Sequence, residues 1–146
     1  MVSVVIPVYN SCFLSRALNS VRDSFTDQLV FEVIIVDDCS DLVFQNEYES
    51  LCEGHENMTL LCLEENCGPG NARNVGIRRA KYDLIAFLDS DGEFTKSKFY
   101  HVLWHVKEGV KASVCSYVID NELEITCSPN YTLLSYAKNT NIGLSS

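Results

Sequence analysis

Two pairs of carboxylates stand out for the chemistry their spacing allows. Asp89 and Asp91 lie one residue apart in YDLIAFLDSDGEF, after the apolar run Leu84–Leu88 and before Gly92. Asp37 and Asp38 are adjacent and close the run Phe31–Val36. Like charges at the end of a buried segment cost free energy unless a cation or hydrogen-bond donors offset them. An Asp-x-Asp in a turn after a strand suits a hard divalent cation, which takes carboxylate oxygens and completes its shell with water or phosphate. The plain alternative is a solvated turn, since Asp, Ser and Gly are ordinary turn residues. His101 and His105 are four apart, a spacing that binds metal on a helix, but no third ligand is evident and no zinc site is expected.

The elements that must position these groups follow from the apolar pattern. Val2–Val8 reads as a strand buried on both faces of a parallel sheet, with Pro7 and Asn10 breaking it. Asn10 or Ser11 would cap a helix that buries Phe13, Leu14, Ala17, Leu18 and Val21. A second buried strand covers Phe31–Val36, and Asp41 opens a weaker helix to about Cys52. Met58–Leu63 is a third strand, and the Gly68-Pro69-Gly70 loop leads into a helix with Ala72, Val75, Gly76 and Ala80 on one face. Those small residues let the helix lie close to a sheet. A buried strand then carries Asp89 and Asp91, and a helix is expected over about Lys96–Glu108, burying Phe99, Val102, Leu103 and Val106. His101, Trp104 and His105 fall on its other side. A further strand is expected over Ala112–Val118, with Leu123–Cys127 pairing across the turn at Asp120–Glu122.

Strands alternating with helices predict an α/β fold, a three-layer sandwich with a mostly parallel central sheet. In such sheets ligands bind outside the carboxyl ends of the strands. Pro7–Asn10, Asp37–Asp38 and Asp89–Asp91 all lie at such ends and should crowd onto one edge. We divide the chain into a ligand-binding domain, residues 1–128, and residues 129–146, a tail or the start of a further region.

Composition narrows the function. The chain has 146 residues, 47% apolar and 21% charged, as expected of one folded domain rather than a disordered segment. Acids outnumber bases 20 to 11, a net charge of −9, which argues against a nucleic-acid partner. No apolar run is long enough to span a bilayer, and no signal peptide is visible at the N-terminus. The seven cysteines, Cys12, Cys39, Cys52, Cys62, Cys67, Cys115 and Cys127, show no zinc-type spacing. We read them as reduced thiols of a cytoplasmic protein, several of them acting as small hydrophobes within strands.

The acidic edge accepts an anion once a metal inverts its electrostatics. Asp89 and Asp91 would hold Mn²⁺ or Mg²⁺, and the cation a diphosphate. Asp38 would accept from a nucleobase N–H, and Tyr9 would offer the base an aromatic face. Backbone N–H groups around Gly68–Asn71, at a helix start, favour phosphate nearby, with Arg73 as the best-placed cation. Arg78, Arg79 and Lys81 read as a solvated helix end.

VSVVIPVYN, EVIIVDDCSD, NCGPGNARNVGI and YDLIAFLDSDGEF stand in the order and spacing of the family-two glycosyltransferases, and the resemblance runs from about Val2 to Val118. It implies a GT-A fold, with a Rossmann-like nucleotide-binding half. Its implied donor is a nucleotide-diphospho-sugar, usually a UDP-sugar, transferred with inversion to a hydroxyl of a glycan, a lipid-linked molecule or another acceptor. The nucleotide would be held by Pro7, Val8, Tyr9, Asn10, Asp38, Gly70, Arg73, Asn74, Asp89 and Ser90. The metal would be held by Asp89 and Asp91, with Asp91 the more direct ligand. Members often work at the inner membrane surface. They are longer than this chain, and carry an acceptor region and an acidic general base downstream that have no recognisable counterpart here. The resemblance therefore implies a donor-binding half, with a binding module lacking transfer activity as the alternative. A phospho-receiver lacks the Lys it would need after Val118. A sugar nucleotidyltransferase would need a Gly- and Arg-containing loop where PVYNSC stands.

Overall fold

The structure is a computed structural model that describes residues 1–25, 30–96, 117–119 and 123–125. Strand β1 (Val2–Val8) is followed by helix α1 (Leu14–Ser24), β2 (Phe31–Asp37), α2 (Leu42–Cys52), β3 (Met58–Cys62), α3 (Gly68–Arg79) and β4 (Ile85–Phe87). These belong to one compact unit, Met1–Lys98. In the second unit, β5 (Tyr117–Ile119) and β6 (Leu123–Ile125) form an antiparallel pair, as expected from the turn at Asp120–Glu122. The helix expected over 96–108, with His101, Trp104 and His105, and the tail 129–146 lie outside the described residues.

The four strands of the first unit are parallel and ordered β3-β2-β1-β4. The chain steps outward from β1 to β2 to β3, then returns through α3 to the other side of β1. Parallel crossovers are right-handed, so this reversal puts α3 on the opposite face from α1 and α2. Alternation along the strands fills both layers. Val5, Ile34 and Val36 join Ala72 and Ala80 in one core cluster. Val4, Ile6, Val33 and Ile35 alternate with them and are completely buried, as are Leu14, Ala17 and Val21 of α1. Phe13 is the exception to the expected helix face. It precedes the helix at the N-cap, where its side chain stays 47% exposed.

Pro7 does not end β1 but lies within it, paired with Val36. Ser3 N donates to Leu84 O, and Val5 O accepts from Leu88 N, so odd-numbered residues of β1 turn their backbone groups towards β4. Pro7 therefore lacks its N–H on the β4 side, where β4 has already ended at Phe87. A proline there stops the β1–β4 ladder, and the chain of Asp89–Asp91 diverges from β1. The strand before those acids is only three residues long and half-buried rather than buried. Among the described residues it has a partner on one side only.

At the opposite end of the sheet, buried Glu32 accepts from Ser3 Oγ and from Lys81 N, both at 2.6 Å, while Tyr82 N donates to Ser3 Oγ at 3.1 Å. Lys81 Nζ stands 3.6 Å from Glu32. Lys81 is thus tied to a buried carboxylate, whereas Arg78 and Arg79 are exposed as expected. These contacts fix the turn from α3 into β4, and with it the register that delivers Asp89 to the carboxyl edge. The five described cysteines are free thiols, none of them buried. Their expected role as strand hydrophobes does not hold at Cys62, which ends β3 exposed.

Gly76 sets the distance between α3 and the sheet. A Cβ added there would lie 2.3 Å from Val5 Cγ1. Alanine gains about 1 kcal/mol of helix propensity over glycine, while forcing a methyl into a packed contact costs about 1–3 kcal/mol. With an overlap this deep the second effect wins. Gly76→Ala is expected to lower urea-unfolding stability by up to about 2 kcal/mol, the difference of those opposing effects. A more stable variant would show that α3 shifts outward without cost.

Candidate functional site

The order reversal between β1 and β4 leaves a crevice at their carboxyl ends, the place where doubly wound sheets take ligands. An open cleft of about 610 Å³ lies there, lined by residues 7–13, Asp38, Asn66, Pro69, Arg73 and Asp89–Asp91. It brings together Pro7, Val8, Tyr9, Asn10, Asp38, Arg73, Asp89, Ser90 and Asp91 of the expected site. Gly70 and Asn74 are exposed and do not line it.

Asp37 and Asp38 end β2 with their carboxylates committed to different loops. Asp37, fully buried, accepts from Ser40 N at 3.1 Å and from Gln45 Nε2 at 3.1 Å, and also from the Ser40 hydroxyl. Ser40 Oγ in turn accepts from Asn10 N at 2.9 Å. Asn10 adopts a left-handed backbone (φ 47°), which Asn tolerates, and its side chain bonds Asp41 N at 2.8 Å. Asp37 thus holds the β1–α1 loop through Ser40 and does not face the cleft as a ligand.

Asp38 is 3% exposed and accepts from Cys67 N at 3.0 Å and Gly68 N at 2.7 Å, one bond to each carboxylate oxygen. Gly68 has φ +84°, a left-handed conformation that glycine adopts without penalty and that aims both N–H groups at one anion. Only part of the stretch Gly68–Asn71 expected to attract phosphate is therefore spent. Cys67 and Gly68 serve Asp38, and Pro69 has no N–H. A carboxylate has about four lone-pair sites, so Asp38 keeps acceptor capacity on the side that lines the cleft.

On the opposite wall, Gly92 N bonds Asp89 O at 2.9 Å and closes the turn. Arg73, from the first turns of α3, reaches Asp89 Oδ1 at 2.5 Å. The pair is partly solvated, so it orients Asp89 more than it stabilises the fold. Among the described residues the Asp91 carboxylate has no hydrogen-bond or ion-pair partner, although its carbonyl accepts from Arg16 Nη2. The donor set fits a hard divalent cation, because Asp91 and the second oxygen of Asp89 are exposed carboxylate oxygens. No group of three His, Cys, Asp or Glu side chains that could hold a metal comes together among the described residues. A cation here would complete its shell from water or from an anionic ligand.

Several contributors were not evident in the sequence. Cys12, Phe13, Asn66 and Pro69 line the cleft, and Tyr48 holds Ser11, another of its lining residues. Tyr48 is fully buried, accepting from Ser11 N at 2.8 Å and donating to Ser11 O at 3.1 Å. The spacing of Phe44, Tyr48 and Leu51 marks one helix face, but not the loop its hydroxyl would reach.

The chain matches the family model described as Glycosyl transferase family 2 over residues 3–142. It belongs to that family. TarS of Staphylococcus aureus, a poly(ribitol-phosphate) beta-N-acetylglucosaminyltransferase, is 35% identical over 99 residues, 64% of this chain and 17% of TarS. Polypeptide N-acetylgalactosaminyltransferase 11 of Xenopus tropicalis is 32% identical over 126 residues, 81% of this chain and 20% of that protein. The chain thus spans about a fifth of these curated relatives. The crystal structure of S. aureus TarS in complex with UDP-GlcNAc superposes with TM-score 0.62 and 33% identity, over 73% of this chain and 31% of that one. The mannosyltransferase PcManGT from Pyrobaculum calidifontis, in complex with GDP-Man and Mn²⁺, shares the fold with TM-score 0.70 at 24% identity, over 78% and 34% of the two chains. The family assignment and the GT-A fold are as the four sequence motifs imply. Among the described residues, no helix is long and apolar enough to cross a membrane.

The Tyr48 bond pair yields a test of how the cleft is held. Burial pushes the Tyr48 phenol above its ordinary 10.0, against the opposing hydrogen bonds to Ser11 and Ser40. The folded chain keeps this proton where the unfolded chain releases it, so the phenol's share of stability is intact below pH 10 and is lost as pH rises beyond it. Tyr48→Phe leaves Ser11 N without its acceptor and should cost about 1–3 kcal/mol in urea unfolding at neutral pH. Its stability should also fall less steeply than wild type above about pH 10, the ordinary phenol value. An unchanged midpoint would mean that water replaces the hydroxyl at Ser11.

Proposed function

We propose that the cleft is the donor site of a glycosyltransferase, binding a nucleoside-diphospho-sugar, a UDP-sugar by preference, with Mn²⁺ or Mg²⁺. The observation that carries the reading is Asp91, an exposed carboxylate without a hydrogen-bond or ion-pair partner among the described residues, at the end of a cleft whose other charged groups, Asp38, Arg73 and Asp89, are already paired. Asp38 would accept the base N–H with its remaining lone pairs, and Tyr9, 52% exposed on the rim, would give the base a face to pack against. Asp91 would be the direct ligand of the cation, and Asp89, oriented by Arg73, would lie beside the ribose or share the cation. A divalent cation bound there supplies charge neutralisation for a departing diphosphate. Arg73, at the same wall, adds a permanent positive charge near that diphosphate. Transfer would be a single inverting displacement, with an acceptor hydroxyl attacking the anomeric carbon as the nucleoside diphosphate leaves. None of the residues lining the cleft is assigned as the general base.

A second reading, a nucleotide-sugar-binding module without transfer activity, is favoured by the donor-site roles that already occupy Asp38, Asp89 and Asp91, the acids that line the cleft among the described residues. Hydrolysis of UDP-sugar by the chain would exclude it.

Cys12 provides a reporter, since its thiol is exposed and lines the cleft. UDP with Mn²⁺ is expected to slow Cys12 alkylation, read by peptide mass spectrometry, while Cys62 on β3 reacts at an unchanged rate. Asp91→Asn should lower the metal-dependent gain in UDP affinity by at least about tenfold, as loss of even a supporting group at a metal site typically does. Undiminished metal-dependent affinity in a folded Asp91→Asn chain would refute the assignment.

A further inference from the structure

Arg16 lies on the exposed side of α1 and lines no part of the cleft, yet it touches two segments that do. Its Nη2 donates to Asp91 O at 2.9 Å, and its Nε stands 2.9 Å from Glu93 Oε1. Its guanidinium carbon sits 5.1 Å from the centre of the Phe13 ring, within cation–π range. Phe13 and Asp91 both line the cleft, one from the β1–α1 loop and the other from the turn after β4. Neighbouring Ser20, also on α1, accepts from Phe94 N at 2.9 Å and holds the same segment one turn further along.

We infer that Arg16 is a positioning residue, which clamps the Asp91–Glu93 segment against Phe13 and so holds the Asp91 carboxylate in place for a divalent cation. This rests on the donor-site reading above. The ordinary account of such a residue is a surface cation in a solvated ion pair, and the Glu93 contact alone would deserve it, with both side chains about half exposed. The carbonyl contact makes the difference. A hydrogen bond to Asp91 O restrains the backbone from which that carboxylate projects, and the planar guanidinium makes that bond, the Glu93 pair and the ring contact together. Arg73 orients Asp89 from α3, and Arg16 restrains Asp91 from α1. The two acids are steadied by arginines from helices on opposite faces of the sheet. Lysine has one compact ammonium and retains only part of this arrangement.

The test is calorimetry of UDP with and without Mn²⁺ on the 146-residue chain, its Arg16→Ala and Arg16→Lys variants, with thermal unfolding of each in parallel. Arg16→Ala is expected to lose about fivefold to tenfold of the metal-dependent affinity, the scale of one ordinary hydrogen bond. Its metal-free UDP affinity and thermal midpoint should stay near wild type, and Arg16→Lys should fall between. Wild-type metal dependence in both variants would overturn the inference while leaving the donor site standing. Equal losses with and without metal, together with a lowered midpoint, would show a merely structural residue and overturn it too. A wild-type chain that binds UDP no better with metal would refute the metal-dependent donor reading itself, and the inference with it.

Discussion

A carboxylate that is 3% exposed must find donors, and Asp38 finds them in the backbone N–H groups of Cys67 and Gly68. Without them its burial would cost several kcal/mol or force it neutral. The requirement draws the loop before α3 onto the end of β2, and Gly68 supplies the left-handed turn that lets two successive amides converge. Asp37 meets the same requirement through Ser40 and Gln45, and Ser40 passes the restraint to Asn10. Two adjacent acids thus hold two different loops, one on each side of the cleft. The rest of the site follows from that junction, since Tyr9 and Asn10 lie on one loop and Pro69 and Arg73 lie beyond the other.

Charge is divided unevenly over this edge. The chain carries −9 overall, and the cleft contains Asp38, Asp89 and Asp91, but their roles differ because their partners differ. Asp38 is pinned by two amides and Asp89 is shared with Arg73. Asp91 alone of the three presents a carboxylate with no partner among the described residues. An edge so arranged repels a free diphosphate and attracts a cation, which is the order of events a metal-carried nucleotide requires.

Much of this was legible in the chain. The β-branched runs gave the strands their places, and the small residues of α3 announced a close approach that Gly76 makes explicit against Val5. Strand order then put Asp38 and Asp89–Asp91 on one edge without any knowledge of side-chain contacts. The misplaced details have a common cause. Pro7 was read as a strand breaker because proline lacks an N–H, but that matters only on the side where a partner strand continues, and β4 has ended there. The amide of Gly68 reads as free for phosphate because its taker, Asp38, is 30 residues away in sequence. Tyr48 and Arg16 act through hydrogen bonds to backbone atoms 37 and 75 positions distant, which no local pattern encodes.

A nucleoside diphosphate bound as proposed would occupy the cleft between the loop after β1 and the turn after β4. Amide NMR of the chain during titration with UDP and Mg²⁺ tests it residue by residue. Saturable shifts are expected at Tyr9, Asn10, Cys67, Gly68, Ser90 and Asp91, with little change along β3. Binding that leaves those amides unmoved, or that shifts a different edge of the sheet, would contradict it.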